Sequence, residues 1–364
     1  MNRAGTSSND VGIHQILVVA SPGDAITNLA LALRQLLRTA GPSEIYARHV
    51  DPALHDDVLP LEKYKPHHAR NALIFHASMG QPEAHEFLIA RRETIVLWYH
   101  NITPPEYFAR YDPAFAELLA AGRLELVALR ERIAVAIADS AFNAAELEDL
   151  GYERVRVVPP LLGSRNLPTV EPRESTLHHL EMLDAPIFLS VGQLLPHKRP
   201  DFLVQGAHIC ETYLHMENHL LLVGHHRIPR YSRAVRDQVR ELNVLRIHLV
   251  GYVDEADLAA MFRMASVVVS ASEHEGFCLP LVEAMRFQKP ILARSCAAIP
   301  ETTDDAALLL SEAVGPAMYA EALLELTANS GLRTDLVTRA ATRVDELDAA
   351  GDESAVLAAL LEVV

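Results

Sequence analysis

Glu275 and Glu283 bracket the segment Gly276-Phe277-Cys278-Leu279-Pro280. Pro280 suits the first turn of a helix, where its missing N–H leaves nothing unpaired. Gly276 permits a close backbone approach or an unusual dihedral angle. A helix starting here presents free N–H groups and a partial positive charge, which suits a diphosphate. Carboxylates accept hydrogen bonds from sugar and ribose hydroxyls but repel phosphate, so the two glutamates should flank a diphosphate without touching it. The plainer reading is an acidic residue steadying a helix dipole, and spacing alone leaves both open.

Lys198 is the second group with chemistry. It lies in Gly192-Gln193-Leu194-Leu195-Pro196-His197-Lys198-Arg199, directly after the apolar run Ile187 to Val191. An ammonium there would stabilise the charge gathering on a departing nucleoside diphosphate. In isolation it reads equally as a surface lysine. Other clusters carry less. His215 and His219 have helical metal-ligand spacing but run straight into a strand and lack the order of zinc proteases. Arg230, Arg233, Arg236 and Arg240 form a basic stripe that reads as a solvated face. No Asp-x-Asp follows a strand to offer a divalent metal its ligands, so no metal is expected.

The elements that must position these groups alternate between short apolar runs and helical patterns. Ile16 to Ala20, Glu44 to Ala47, Ala72 to His76, Thr94 to His100, Ala134 to Ala138 and Arg154 to Val158 read as strands. Helices lie over Ile26 to Leu37 and Pro113 to Glu131. A Pro-rich stretch follows from Pro159 to about Pro186. Strands then resume at Ile187 to Val191, Leu220 to Val223, Ile247 to Val250, Val267 to Ser270, Ile291 to Ala293 and Ala307 to Leu310. Helices over Pro200 to Glu211, Tyr231 to Leu242, Glu255 to Met264 and Pro280 to Phe287 separate them, and Ala313 to Val364 reads as helical throughout. The fold class is therefore α/β, with two tandem Rossmann-like, doubly wound domains facing a cleft. The expected domains are 1–172, 173–345 and a C-terminal helix over 346–364 that packs back on the first. Ligands of such sheets bind beyond the carboxyl ends of the strands, where the groups above lie.

Composition narrows the classes. The chain has 364 residues and a net charge of −16, which excludes a general nucleic-acid binder because phosphate neutralisation needs excess Lys and Arg. Half the residues are apolar and no run of 18 or more apolar residues occurs, so a large core is expected and a transmembrane segment is not. Peripheral membrane contact and the oligomeric state stay open. Three cysteines, Cys210, Cys278 and Cys296, without a CxxC pair, fit a reducing, cytoplasmic compartment. Met1 to Asp10 reads as a leader before the first strand and lacks the pattern of a signal peptide.

Glu275-Gly276-Phe277-Cys278-Leu279-Pro280-Leu281-Val282-Glu283-Ala284-Met285 resembles the EGFGxPxxEAM signature, the E-x7-E motif, of retaining glycosyltransferase family 4, of GT-B fold. Lys289-Pro290 and Ile299-Pro300-Glu301 are similar to the segments that follow it. Gly192 to Asp201 resembles the family pattern VGRLxPxKGxD, with Lys198 at the Lys and Gln193 where the family carries Arg. Arg199 and Arg294 are candidates to replace that missing cation. Leu221 to Gly224 and Leu249 to Val253 resemble the family's LVG and GxV segments. The likeness runs from about Ile16 to Asp345.

The resemblance implies a site. Glu275 would contact donor-sugar hydroxyls, Glu283 the ribose, and Lys198 the diphosphate. Gly276, Phe277, Cys278 and Leu279 would line the donor site, with Gln193 beside the phosphates. Tyr252 and Val253 would sit by the base. Gly23 resembles the family's glycine loop near the donor phosphate, and the adjacent Asp24 reads as a helix cap or an acceptor-facing group. His100 resembles the family's His near the reacting sugar. Asp139 either lines the cleft or caps the helix that follows it. Cys278, often Gly in the family, has a thiol that lacks an evident base partner for nucleophilic use. The implied activity is retaining transfer of a hexose-type sugar from a nucleotide-sugar to an acceptor hydroxyl, with His100, Lys198 and Glu275 carrying it. The acceptor would be a glycan, a lipid-linked molecule or a small molecule, in bacterial glycan or glycoconjugate assembly, and no cofactor would be needed beyond the nucleotide-sugar itself. The rival classes are a non-catalytic nucleotide-sugar-binding subunit of another transferase and a GT-B phosphorylase using inorganic phosphate.

Overall fold

The computed structural model describes residues 11–66, 70–161 and 167–361. The leader expected over Met1 to Asp10 lies outside them. The chain divides into two compact units: Met1–Glu106, Ala114–Ser164 and Leu347–Val364 form the first, and Tyr107–Pro113 with Arg165–Glu346 form the second.

Unit 1 runs β1 (Val11–Ala20), α1 (Ala25–Arg38), β2 (Ile45–Val50), β3 (Val58–Pro60), β4 (Arg70–Ala77), α2 (Pro82–Ile89), β5 (Thr94–Tyr99), α3 (Pro113–Leu129), β6 (Ile133–Ala138), α4 (Ala141–Asp149) and β7 (Val155–Val157). Its seven strands lie in the order β3-β2-β1-β4-β5-β6-β7 and pair in parallel throughout. The order reverses between β1 and β4, the switch point of a doubly wound sheet. Strands buried on both faces read as continuous apolar runs, which is why Ile95-Val-Leu-Trp-Tyr99 and Ile133 to Ala138 stand out in the sequence. β3 and α2 do not. β3 is a three-residue strand ending in Pro60, tolerable because it lies at the sheet edge.

Unit 2 runs α5 (Glu174–Glu181), β8 (Ile187–Val191), α6 (Pro200–Thr212), β9 (His219–Val223), α7 (Pro229–Glu241), β10 (Ile247–Gly251), α8 (Glu255–Met264), β11 (Val267–Ser270), α9 (Leu279–Arg286), β12 (Ile291–Ser295), α10 (Ile299–Thr303), β13 (Leu308–Ser311) and α11 (Pro316–Ala328). Its six strands follow β10-β9-β8-β11-β12-β13, again all parallel, with the switch point between β8 and β11.

One expectation changes. The tail is not one helix. Asn329 adopts an extended conformation and accepts the N–H of Leu332 (2.9 Å), so α11 ends and α12 (Ser330–Ala350) begins. Asp352 accepts the N–H of Ala355 (2.8 Å) and starts α13 (Glu353–Leu361). Val356, Ala359 and Leu360 of α13 join the unit 1 core beside Ile13, Leu33 and Trp98. The second unit takes up the chain again ahead of α5. Arg173 is bound to Asp254 and Asp257, and Arg263 donates to the carbonyls of Pro168 and Val170. The end of the Pro-rich stretch is thereby tied to α8.

Candidate functional site

The carboxyl ends of β8 and β11 in unit 2 enclose a cavity lined by Gly192, Gln193, Lys198, Ser270, Ser272, Glu275 and Cys278, among others. It sits at the switch point of that sheet, where such folds bind ligands. Lys198 Nζ donates to Glu275 Oε1 at 2.7 Å, and the Ser272 hydroxyl donates to the same oxygen at 2.7 Å. Burial pushes the Glu275 carboxyl toward neutrality. The Lys198 ammonium and these hydrogen bonds outweigh it and hold the carboxyl below its usual range. Burial likewise disfavours the Lys198 charge, and Glu275 restores it and raises the ammonium's pKa. The neighbouring His197 is pushed down to about 3 by burial and by Lys198, so it stays neutral.

The loop carrying Glu275 is braced from three sides. Thr302 Oγ1 donates to the Phe277 carbonyl (2.5 Å), Ala298 N to the Glu275 carbonyl (3.2 Å), and Glu273 N to the His197 carbonyl (2.7 Å). Tyr319 adds hydrogen bonds to the carbonyls of Ser270 and Leu292. Cys278 is the N-cap of α9 with φ 74°, left-handed backbone that favours glycine. This accounts for the glycine of the EGFG pattern at that position. Burial and Glu275 raise the Cys278 thiol well above its ordinary value, which leaves it a poor nucleophile.

Close backbone approach shapes the other wall. Gly192, Gly224 and Gly251 end β8, β9 and β10, each with positive φ. The N–H of Gly192 meets the Val223 carbonyl, and that of Gly224 meets the Gly251 carbonyl, both at 2.8 Å. Gln193 lines the cavity, and its Oε1 is buried without a hydrogen-bond partner among the described residues. Arg199 and Arg294, the candidates to replace the missing cation, are not among the residues lining the cavity. Arg199 is bound by Asp201 and Glu273, and Arg294 by Glu273 at 3.1 Å. Among the described residues, Lys198 is the one Lys or Arg side chain lining the cavity.

Other expected residues fall nearby or elsewhere. Gly276 and Phe277 belong to the braced loop and Leu279 opens α9, while Glu283 lies inside α9 and does not line the cavity. Tyr252, exposed at the end of β10, stacks on His225 with centroids 4.5 Å apart, and Val253 follows it. Gly23, φ 75°, turns the chain after β1, and Asp24 caps α1 through the Thr27 N–H (2.9 Å). His100 directly follows β5 with its ring buried. Its Nδ1 meets Asp139 Oδ2 and its Nε2 meets His76 Nδ1, both at 2.9 Å. Asp139 does not cap α4, because Ser140 takes that role through the Asn143 N–H. Asp139 instead accepts from Trp98 Nε1 (2.8 Å). Sequence reasoning passed over Ser272, His76 and Gln15. Their signal is a polar side chain inside or just beyond an apolar strand. Among the described residues, no group of three or more His, Cys, Asp or Glu side chains is gathered to hold a metal ion.

Residues 178–343 match the family model of glycosyl transferases group 1. The matched segment contains the whole cavity. O-antigen chain mannosyltransferase B of Escherichia coli is 30% identical over 127 residues, 33% of this chain and 32% of its own. D-inositol 3-phosphate glycosyltransferase of Streptomyces avermitilis is 26% identical over 233 residues, 61% of this chain and 49% of its own. The chain thus spans a third to a half of the length of these relatives. Solved structures match at nearly full length. Sucrose-phosphate synthase from Thermosynechococcus elongatus has a TM-score of 0.71 at 20% identity, covering 92% of this chain and 94% of that one. HepE of Anabaena, solved with UDP-glucose, has a TM-score of 0.72 at 15% identity, covering 94% and 96%. The two parallel-sheet α/β domains have the GT-B fold.

Proposed function

We propose that the chain is a retaining glycosyltransferase that moves a hexose-type sugar from a nucleotide-sugar to an acceptor hydroxyl, without a metal ion, in bacterial glycan or glycoconjugate assembly. The observation that carries this reading is the Lys198–Glu275 pair at the switch point of the unit 2 sheet, inside the group 1 segment. A diphosphate entering the cavity competes with Glu275 for the ammonium. The freed carboxylate, still held by Ser272, then accepts hydrogen bonds from donor-sugar hydroxyls. Lys198 stabilises the diphosphate as it leaves. The enzyme's contribution is positioning and electrostatics, and the departing diphosphate takes the acceptor's proton. Glu283 binds the ribose, and Gln193, Tyr252, Val253 and residues 276–279 complete the unit 2 part of the donor site. His100 reaches a substrate oxygen only by exchanging its bond to His76.

Mannosyltransferases among the similar proteins and UDP-glucose in the HepE structure make GDP-mannose and UDP-glucose the first donors to try. The test is a thermal-shift panel of UDP-, GDP- and ADP-sugars, followed by release of nucleoside diphosphate with a bacterial glycan or lipid extract as acceptor. Lys198→Ala and Glu275→Ala should each lower kcat by about 10²–10³, the usual loss on removing one charge-stabilising group. Unchanged turnover in both variants would refute the site. One observation favours a second reading, a non-catalytic nucleotide-sugar-binding subunit: Gln193 stands where the family pattern has Arg. Donor binding without turnover would select it.

A further inference from the structure

A row of buried polar groups crosses the switch point of unit 1. Gln15 on β1, His76 on β4, His100 after β5 and Asp139 after β6 are joined in order by contacts of 2.9 Å. The two imidazoles have centroids 5.2 Å apart and planes 4° apart, which places them edge to edge for an N–H···N bond. Four polar side chains inside an apolar core cost stability unless every one is satisfied.

The protons in this row can be counted. Gln15 Nε2 lies 2.9 Å from the carbonyl of Ala30. A carbonyl only accepts, so the amide NH2 faces Ala30 and Oε1 faces His76 Nε2. That nitrogen must therefore carry a proton. Burial, with His100 alongside, keeps His76 neutral, so its Nδ1 is a lone pair. His100 Nε2 must then donate to it. On the other side of the ring, His100 Nδ1 faces Asp139, whose second oxygen already accepts from Trp98. Asp139 accepts from Trp98 through one oxygen and, as a carboxylate, only accepts through the other, so the proton between it and His100 sits on Nδ1. Asp139 and His76 are the titratable side chains bonded to His100, and Gln15 and Trp98 close the row without charge.

We infer that Gln15 and His76 are positioning residues that hold His100 as an imidazolium, paired with Asp139, at the carboxyl end of the unit 1 sheet. The chain from the Ala30 carbonyl through Gln15 fixes the tautomer of His76, and His76 in turn fixes the second proton of His100. A neutral His100 would have one lone pair to offer. The imidazolium has none, so a ligand oxygen that displaces His76 from the Nε2–H meets a donor, which suits hydroxyl or phosphoryl oxygens. This deepens the transferase reading, on which the functional meaning of His100 rests.

The test is long-range proton–nitrogen correlation of the full chain labelled with ¹⁵N-histidine, at pH 7. Signals are assigned by their loss in His76→Gln and His100→Gln. The expected pattern is His100 with both ring nitrogens protonated and His76 neutral with its proton on Nε2. A singly protonated His100, or His76 with its proton on Nδ1, would overturn the inference. Gln15→Leu, similar in size and apolar, removes the acceptor of the His76 Nε2–H. His76 is then free to hold its proton on Nδ1, and His100 should fall to one proton. An unchanged pattern in Gln15→Leu would equally overturn the role of Gln15. The readout needs no turnover. If the transferase reading fails, wild-type protein shows this pattern without turnover; if the present inference fails, the pattern itself differs.

Discussion

Lys198 Nζ and Glu275 Oε1, 2.7 Å apart, neutralise each other at the head of the unit 2 sheet. Both side chains are largely buried, so removing one leaves an uncompensated charge in the other. Lys198→Met should cost about 3–5 kcal/mol of stability, and the double replacement with Glu275→Leu much less than the sum of the two single ones. Urea unfolding of the four proteins measures this coupling.

The same pair makes stability depend on pH. Glu275 has a folded-state pKa below its unfolded value of about 4.3. Its contribution is therefore present above that value and lost as pH falls through the lower, folded one. Lys198 is raised, so its contribution is present below about 10.4 and lost as pH climbs through the higher folded value. The stability gap between wild type and the double variant should be flat from about pH 5 to 9 and change outside that window. A gap that changes between pH 6 and 8 would contradict the pairing.

Cys278 sits in left-handed backbone at φ 74°. Alanine at this position would keep the backbone strain, and glycine would release it. Cys278→Gly should be more stable than Cys278→Ala by about 1 kcal/mol, although it exposes more backbone entropy in the unfolded chain. Melting temperatures of the two variants decide the order. Arg199 has the same backbone geometry, φ 50°, where the VGRLxPxKGxD pattern has glycine. There the Asp201 and Glu273 carboxylates hold the guanidinium and offset the strain.

The strands of both sheets were legible because parallel strands covered on both faces must be apolar along their whole length. Val267 to Ser270 and Ile187 to Val191 coincide with the structure to the residue. β3 was illegible because an edge strand of three residues needs no such run. In the site, motif spacing brought Lys198 and Glu275 into one loop system but could not show that they bind each other. Nor could it show that Arg199 and Arg294 are consumed by Glu273, a residue with no periodic or motif signal. His100 was chosen and His76 was not, although each follows an apolar run, because only three-dimensional pairing shows that the rings share a bond.

Gln193→Arg tests the missing positive charge directly. Among the described residues, the cavity has Lys198 as its one Lys or Arg, and the Gln193 side-chain oxygen has no partner. A guanidinium there adds a charge-assisted hydrogen bond to a bound diphosphate, about 1.5–3 kcal/mol in favourable geometry. Nucleoside diphosphate affinity, measured by calorimetry with UDP, GDP and ADP, should rise at least tenfold for the base that the site accepts, with a steeper loss on adding salt. Equal or weaker affinity would place the phosphates away from Gln193.

Gly224→Ala is the steric counterpart. A Cβ on Gly224 would lie 2.1 Å from the Gly192 carbonyl oxygen and 3.0 Å from the Gln193 nitrogen, and φ is 144°. Neither neighbour is a flexible side-chain end, so the ends of β8 and β9 must separate. That movement breaks the Gly192 N–H bond to the Val223 carbonyl and carries Gln193 away from the cavity. The cost should exceed about 3 kcal/mol, the range of strained backbone combined with overpacking. Gly251→Ala has positive φ but no atom within 4 Å of the added Cβ, so it pays the backbone cost alone, about 1–2 kcal/mol. Chemical denaturation of the two variants should therefore rank Gly224→Ala as clearly the less stable. The reverse order would mean that the three glycines matter for their dihedral angles and not for the close approach of β8 and β9.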